Sequence, residues 1–282
     1  MYRPIIVNLD GSEHAEEVLP YVKKMAEATG AEIELNRVVA NAGEIAAASN
    51  YLSSVASRLG EHVTINVEQG AIAGAITEEI KSQPNSLAIL TTHGRTGVRE
   101  MLLGSVAFSV VKTVGKPVLI YRPRGHAPGN VDISSVVVAL DGTSFPEAIL
   151  PSAIQLALDL KAKLTLVQAI EPFRRRAARR SPSGDELAGL VDPGIPVSDA
   201  LESAYLMGLA HEVESKHKLE VDWEVLHGDP GAAICHFLDG RKDAILAVTA
   251  HARPAVERIV FGSVTAACIR GADGPILVYW QK

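Results

Sequence analysis

Cysteine is nearly absent: Cys235 and Cys268 are the only two in 282 residues. That excludes the disulfide framework on which small secreted domains rely. Each cysteine falls within a helical apolar pattern and reads as a buried free thiol, which fits a reducing compartment. Aromatic residues make up only 5% of the chain, and no apolar run approaches the roughly 18 residues a membrane-spanning helix requires. The opening stretch MYRPIIVNLDGSE enters a strand pattern without a basic segment or a long apolar leader, so a cytoplasmic protein without membrane attachment is expected. Positive charge is not in excess either. The formal net charge is -6, with 12 basic against 13 acidic residues through Asn130 and 15 against 20 beyond it, which argues against a nucleic-acid partner. Two phosphate-binding signatures are also missing. No G-x-x-x-x-G-K-(S/T) occurs, and the first turn, Asp10-Gly11-Ser12-Glu13, lacks G-x-G-x-x-G, which disfavours motor or GTPase chemistry and dinucleotide binding.

What remains is an ordinary globular composition, 47% hydrophobic and 21% charged, arranged in a regular alternation. Ile5 to Leu9 is a short apolar strand ended by Asp10-Gly11, and Ser12 stands where a helix N-cap belongs. Ala15, Val18, Leu19, Val22, Met25 and Ala26 follow at helical spacing with charges on the opposite face, and Gly30 is placed to stop that helix. Strands are expected at Ile33 to Val39, Val63 to Glu68, Leu87 to Leu90 and Pro117 to Tyr121, with helices at Glu44 to Leu59, Ala73 to Lys81 and Val106 to Val114. Parallel neighbours need crossover helices, and strands covered on both faces are apolar throughout, so each such unit predicts an open five-stranded parallel sheet sandwiched by helices.

The pattern then repeats. IIVNLDGS at Ile5 returns as VVVALDGT at Val136, an offset of 131, while QGAIAGAI at Gln69 returns as HGDPGAAI at His227, an offset of 158. The larger offset persists from GKPVLIY at Gly115 to DGPILVY at Asp273, so copy two carries 27 additional residues. These give an expected division into a first domain over 1–122, a Pro/Gly-rich linker over 123–132 and a second domain over 133–282, with an Arg-rich insertion near 171–197. The insertion, with Arg174, Arg175, Arg176, Arg179 and Arg180, reads as a solvated surface loop, with an anion clamp as the sharper alternative.

The segment Thr91 to Ser105, TTHGRTGVREMLLGS, follows an apolar strand and opens a helix, which leaves free backbone N–H groups at a strand's carboxyl end. Its degraded second copy is Thr249 to Ser263, TAHARPAVERIVFGS. Together with the strand ending in Asp-Gly-Ser, this segment resembles the universal stress protein family in its tandem two-domain form. The resemblance covers both copies and implies two Rossmann-like domains of the HUP, or adenine nucleotide alpha hydrolase-like, kind.

Nucleotide-binding members of that family show G-x-x-G, nine residues, then G-(S/T). Here the slots are Thr91, Gly94, Arg95 to Leu103, Gly104 and Ser105, so the spacing matches and one glycine is replaced. The resemblance implies ATP as ligand. Asp10, Val38 and the backbone near Asn8 would bracket the nucleoside, with Arg95 and the helix start at Gly104, Ser105 and Val106 on the phosphates, which a Mg²⁺ ion can accompany. Copy two keeps Asp141, Gly262, Ser263 and Val264, but has Ala169 in the slot of Val38 and Thr249 and Ala252 in both early glycine slots. Three of these residues also have a structural reading: Gly94 as a turn former, Ser105 as a cap, and Asp10 as a ligand of its own turn.

Asp10, His93 and Ser105, repeated as Asp141, His251 and Ser263, are the right types for nucleophilic catalysis, but no G-x-S-x-G elbow is present and no catalytic residue is assigned. Slow ATP hydrolysis stays within this reading. In HEVESKH, residues 211–217, the i+4 position is Ser215, so the H-E-x-x-H zinc pattern fails and no metal site is expected. The rival to nucleotide binding is an interaction module of the same fold. Family members resemble dimers joined through their last strands. A tandem chain would form that pair internally, Val118 to Tyr121 against Ile276 to Tyr279, and a further homodimer of whole chains is a separate expectation.

Overall fold

The computed structural model describes residues 2–92, 103–125, 127–129, 131–170, 197–250, 253–255 and 258–281. In the first half, β1 (Ile5–Asn8) leads through the short helix α1 (Glu13–Glu16) to α2 (Leu19–Thr29) and β2 (Ile33–Val39). There follow α3 (Ile45–Leu59), β3 (Val63–Gln69), α4 (Ile72–Ser82), β4 (Leu87–Thr91), α5 (Ser105–Val114) and β5 (Val118–Tyr121). The second half runs through β6 (Ser135–Leu140), α6 (Leu150–Leu160), β7 (Lys163–Ile170), α7 (Val197–His217), β8 (Val221–His227), α8 (Pro230–Leu238) and β9 (Ala244–Ala250). It closes with a small antiparallel pair, β10 (Arg253–Ala255) and β11 (Arg258–Val260), then α9 (Ser263–Gly271) and β12 (Ile276–Trp280).

The two halves share one ten-stranded sheet in the order β3-β2-β1-β4-β5-β12-β9-β6-β7-β8. Within each half every pairing in this sheet is parallel. At the seam β5 and β12 run antiparallel, with Ile276 opposite Ile120, Leu277 opposite Leu119 and Val278 opposite Val118. The internal pairing expected of the last strands is therefore present. Both strands have a neighbour on each side, so neither offers a free edge.

Strand side chains alternate between two cores. Ile5, Val7, Ile89, Leu119 and Leu277 pack under α2, α3, α6 and α7, and Ala88, Leu90, Val118, Ile120 and Val278 pack under α4, α5, α8 and α9. Burial on both faces is why these strands are unbroken apolar runs. Polar contacts reinforce the seam. Glu17, buried on copy one, accepts the backbone N–H groups of Arg124 at 2.6 Å and Gly125 at 3.0 Å. The Arg124 side chain in turn reaches the carbonyls of Gly271 at 3.1 Å and Ala272 at 2.5 Å, at the carboxyl end of α9, where a cation complements the helix dipole. On the other face Phe108 of copy one meets Phe261 and Trp280 of copy two edge-on, at 5.2 and 5.9 Å between ring centroids.

The helix expected from Ala15 to Ala26 is two helices, α1 and α2. Pro20 sits in the first turn of α2, where its missing N–H costs no hydrogen bond, but it cannot continue a helix begun at Glu13. A turn of 3-10 helix, Ala42–Glu44, precedes α3 where a single α-helix from Glu44 was expected.

Candidate functional site

In each half the strand order reverses beside the first strand: β1 lies between β2 and β4, and β6 lies between β7 and β9. In an open α/β sheet the crevice beyond the strand carboxyl ends at this point is where ligands bind. The local sequence shapes both crevices. Gly11 and Gly142 adopt φ of +88° and +70°, a conformation that favours glycine, so the chain turns sharply after Asp10 and Asp141. One carboxylate oxygen of Asp10 accepts the Ser12 N–H at 3.0 Å and hydroxyl at 2.7 Å, and Asp141 does the same with Thr143 at 2.8 and 2.5 Å. Ser12 then accepts the Ala15 N–H at 3.2 Å and caps α1, as its position in the sequence suggests.

Opposite these turns stand the starts of α5 and α9. Both helices are capped by glycine, Gly104 and Gly262, with φ of -57° and -55°, and neither cap supplies a side-chain hydrogen bond. Ser105 and Ser263 are therefore the first residues inside their helices, and the reading of them as caps is corrected. Both are exposed. Gly104 is required by close approach and not by unusual φ: its N–H donates to the Thr92 carbonyl at 2.6 Å, and a Cβ would lie 3.0 Å from that oxygen. Thr92 is itself fixed by its N–H bond to Tyr121 at 2.8 Å, so the strand end cannot retreat easily.

The structure brings the copy-two candidates together. Asp141, Ala169, Thr249, Gly262, Ser263 and Val264 all line one cavity of about 360 Å³, within the ordinary size range of small-molecule sites. The Thr249 hydroxyl donates to the Pro146 carbonyl at 3.0 Å and is thereby committed to the protein. In copy one Val38 and Val106 pack on the core beneath α4 and α5, and Thr91 ends β4. Gly94, Arg95 and His93, and in copy two His251 and Ala252, lie outside the described residues. Of the discarded zinc pattern, His211 and His217 are exposed on α7.

Two residues gain roles that the sequence reading did not give them. Asp229 lines the copy-two cavity while its carboxylate accepts the Ala232 N–H at 3.0 Å and caps α8. The repeat alignment contained that signal, since Asp229 stands in the slot of Ala71 ahead of a proline. The Asn8 side chain, not only its backbone, also matters. Its repeat equivalent in copy two, Ala139, lines the cavity, and both amide atoms of Asn8 are buried without a hydrogen-bond partner, an arrangement that costs about 1–3 kcal/mol.

Comparison with known proteins agrees with this architecture. The model of the universal stress protein family matches residues 38–122 and 133–279. A universal stress protein of Methanocaldococcus jannaschii is 32% identical over 81 residues, covering 27% of this chain and 49% of that protein, so the chain spans about half the length of this curated relative. The crystal structure of a universal stress protein from Archaeoglobus fulgidus is similar over 99% of this chain and 98% of its own, with a TM-score of 0.69 and 19% identity. A universal stress protein solved in complex with cAMP covers 54% of this chain and 99% of its own, with a TM-score of 0.38 and 19% identity. Among the described residues, no helix is long and apolar enough to cross a membrane. With family matches in two tandem segments and a fold shared along nearly its whole length, the chain belongs to the universal stress protein family.

Proposed function

We propose that the chain binds an adenine nucleotide, MgATP, in the crevice of copy one and more weakly in that of copy two, and that occupancy serves as a regulatory signal in a cytoplasmic stress response. The observation that carries this reading is the start of α5. A glycine packed onto the Thr92 carbonyl begins the helix without a side-chain cap of its own, so that among the described residues no cap side chain occupies the first-turn N–H groups, which an anion can take. In this reading Ser105 and Val106 contribute N–H groups to the phosphates, while Gly94 and Arg95 complete the phosphate side. Val38 and the unsatisfied Asn8 amide meet the base, and Asp10 meets the ribose. Bound Mg²⁺ would offset phosphate charge, and no catalytic step is assigned to the chain.

Copy two is ranked second on two observations. Ala139 replaces the Asn8 amide, and Asp229 lines the cavity that an anion would enter. The interaction-module alternative loses its most obvious surface, because the last strands already pair with each other.

The test is direct. The purified full chain is denatured and its released small molecules analysed, and the stripped, refolded chain is titrated calorimetrically with MgATP and in parallel with cAMP. Nucleotide release or saturable heat with MgATP is expected. Neither release nor heat at millimolar MgATP would sink the reading.

A further inference from the structure

We propose that Cys235 and Cys268 form a hydroperoxide-reactive dithiol, a modification site in which Cys235 is the attacking thiol and Cys268 resolves it to an intramolecular disulfide. The two residues lie on α8 and α9, which pack through a seam of small side chains. A Cβ added to Gly231 would sit 2.5 Å from the Ala267 Cβ, and one added to Gly271 would sit 2.6 Å from the Cys235 sulfur. The Cys235 thiol also lies 3.6 Å from the Ala267 carbonyl oxygen, to which it donates when protonated. Ala267 and Gly271 flank Cys268 on the same helix, so Cys235 rests against the turn that carries the second thiol.

Exposure and charge divide the roles. Cys268 is fully buried and Cys235 only partly, so an oxidant meets Cys235 first. The neighbouring Cys268 thiol draws the Cys235 thiol down to about 7, against the opposing effect of burial and Asp239, while the same neighbour and burial push Cys268 up. The thiolate is the nucleophile, and Cys235 is the thiol held toward that form.

The chemistry closes without further reactants. The Cys235 thiolate attacks the O–O bond of the peroxide and leaves as a sulfenic acid, with hydroxide or alkoxide released. The Cys268 sulfur then attacks that sulfenic sulfur, loses its proton and expels water, forming the disulfide. Two thiols are oxidised and one peroxide is reduced.

The pair belongs to copy two alone. At the offset of 158, the slots of Cys235 and Cys268 hold Thr77 and Val110 in copy one, and those of Gly231, Ala267 and Gly271 hold Ala73, Ser109 and Thr113. The smaller seam residues and the two thiols occur in the same half. Because α8 and α9 both line the copy-two cavity, the disulfide would tie two of its walls together.

The experiment uses the reduced full chain. Iodoacetamide under native conditions should label Cys235 at least about tenfold faster than Cys268. Hydrogen peroxide should then yield a disulfide-linked pair of peptides containing Cys235 and Cys268, within one chain and reversed by dithiothreitol. Cys268→Val and Cys235→Thr borrow the residues that copy one tolerates in those slots. Cys268→Val should stop at a sulfenic acid trapped by dimedone, and Cys235→Thr should lose both the cross-link and the trapped adduct. The proposal is overturned if peroxide leaves both thiols free, if Cys268 reacts first, or if the only disulfide joins two chains.

Discussion

Replacing Gly104 by glutamate tests the phosphate end of the proposed site at its most constrained point. Alanine alone would place a methyl group 3.0 Å from the Thr92 carbonyl, tighter than an ordinary contact, and Thr92 is tied to Tyr121 through a 2.8 Å hydrogen bond. The helix start must therefore shift by a few tenths of an ångström, at a cost of about 1 kcal/mol. Glutamate adds a carboxylate at the positive end of the ten-residue helix α5. There it favours the empty fold by about 0.3–1 kcal/mol, so the variant should remain folded. It also occupies the place of the phosphate. Losing two N–H contacts to a charged group, each worth about 1.5–3 kcal/mol, predicts a loss of about 3–6 kcal/mol. That is an affinity more than about 100-fold weaker. Calorimetry of the stripped variant with MgATP reads this directly, and circular dichroism with a thermal melt establishes that the fold persists. Gly262→Glu should change the binding much less, because copy two is the weaker site. Binding by Gly104→Glu within about threefold of the parent, or loss in Gly262→Glu alone, would refute the assignment.

Two further outcomes follow from contacts outside the crevice. Glu17→Ala strips the acceptor from two backbone N–H groups of the linker, at 2.6 and 3.0 Å, and should cost about 2–4 kcal/mol, read as a clear fall in melting temperature. Glu17→Gln, which keeps one acceptor oxygen, should recover about half, and an unchanged melt in Glu17→Ala would show that the linker is not held by this carboxylate. Tyr21 donates to the Lys242 carbonyl at 3.1 Å across the seam, and burial, with Asp273 and Asp243 adding to it, raises its phenol from 10 to about 12. The fold thus favours the neutral phenol. Its contribution is complete below pH 10 and falls as the pH rises toward about 12, where the unfolded chain ionises first. Tyr21→Phe should flatten this alkaline decline in the urea midpoint, and parallel declines in both proteins would reject the role given to Tyr21.

Much of the fold was legible because its strands obey one constraint. Covered on both faces, Val136 to Leu140 and Ile276 to Val278 read as apolar runs with no alternation, and only a parallel sheet between helix layers produces many of these in series. The repeat supplied the rest. Once GKPVLIY and DGPILVY align, two equivalent last strands with uncovered edges need a partner, and each is the other's nearest solution. The break between α1 and α2 was missed because the apolar periodicity continues through Val18 and Leu19, although Pro20 already marked a first turn. Periodicity reports which face is buried. It does not report whether one helix or two present that face.

The site was legible as spacing and less so as function. Gly104 and Gly262 were found by their spacing, and for Gly104 the structure supplies the local cause, since a helix that starts on the Thr92 carbonyl leaves no room for a Cβ at the point of contact. Asn8 and Asp229 left no such mark, because their meaning depends on what lies across the crevice and in the other copy. Asn8 acquires its meaning from Ala139, and Asp229 from Ala71. This contrast also bears on why the copies could diverge. The β5–β12 seam holds the halves together through Leu119, Ile120, Leu277 and Val278 whatever the crevices bind, and none of these four residues is more than 1% exposed. Stability therefore rests on the strand register and the two cores, while the crevices sit at the far ends of the strands. Copy two can lose the amide, gain Asp229 and acquire a thiol pair without disturbing the sheet that joins it to copy one.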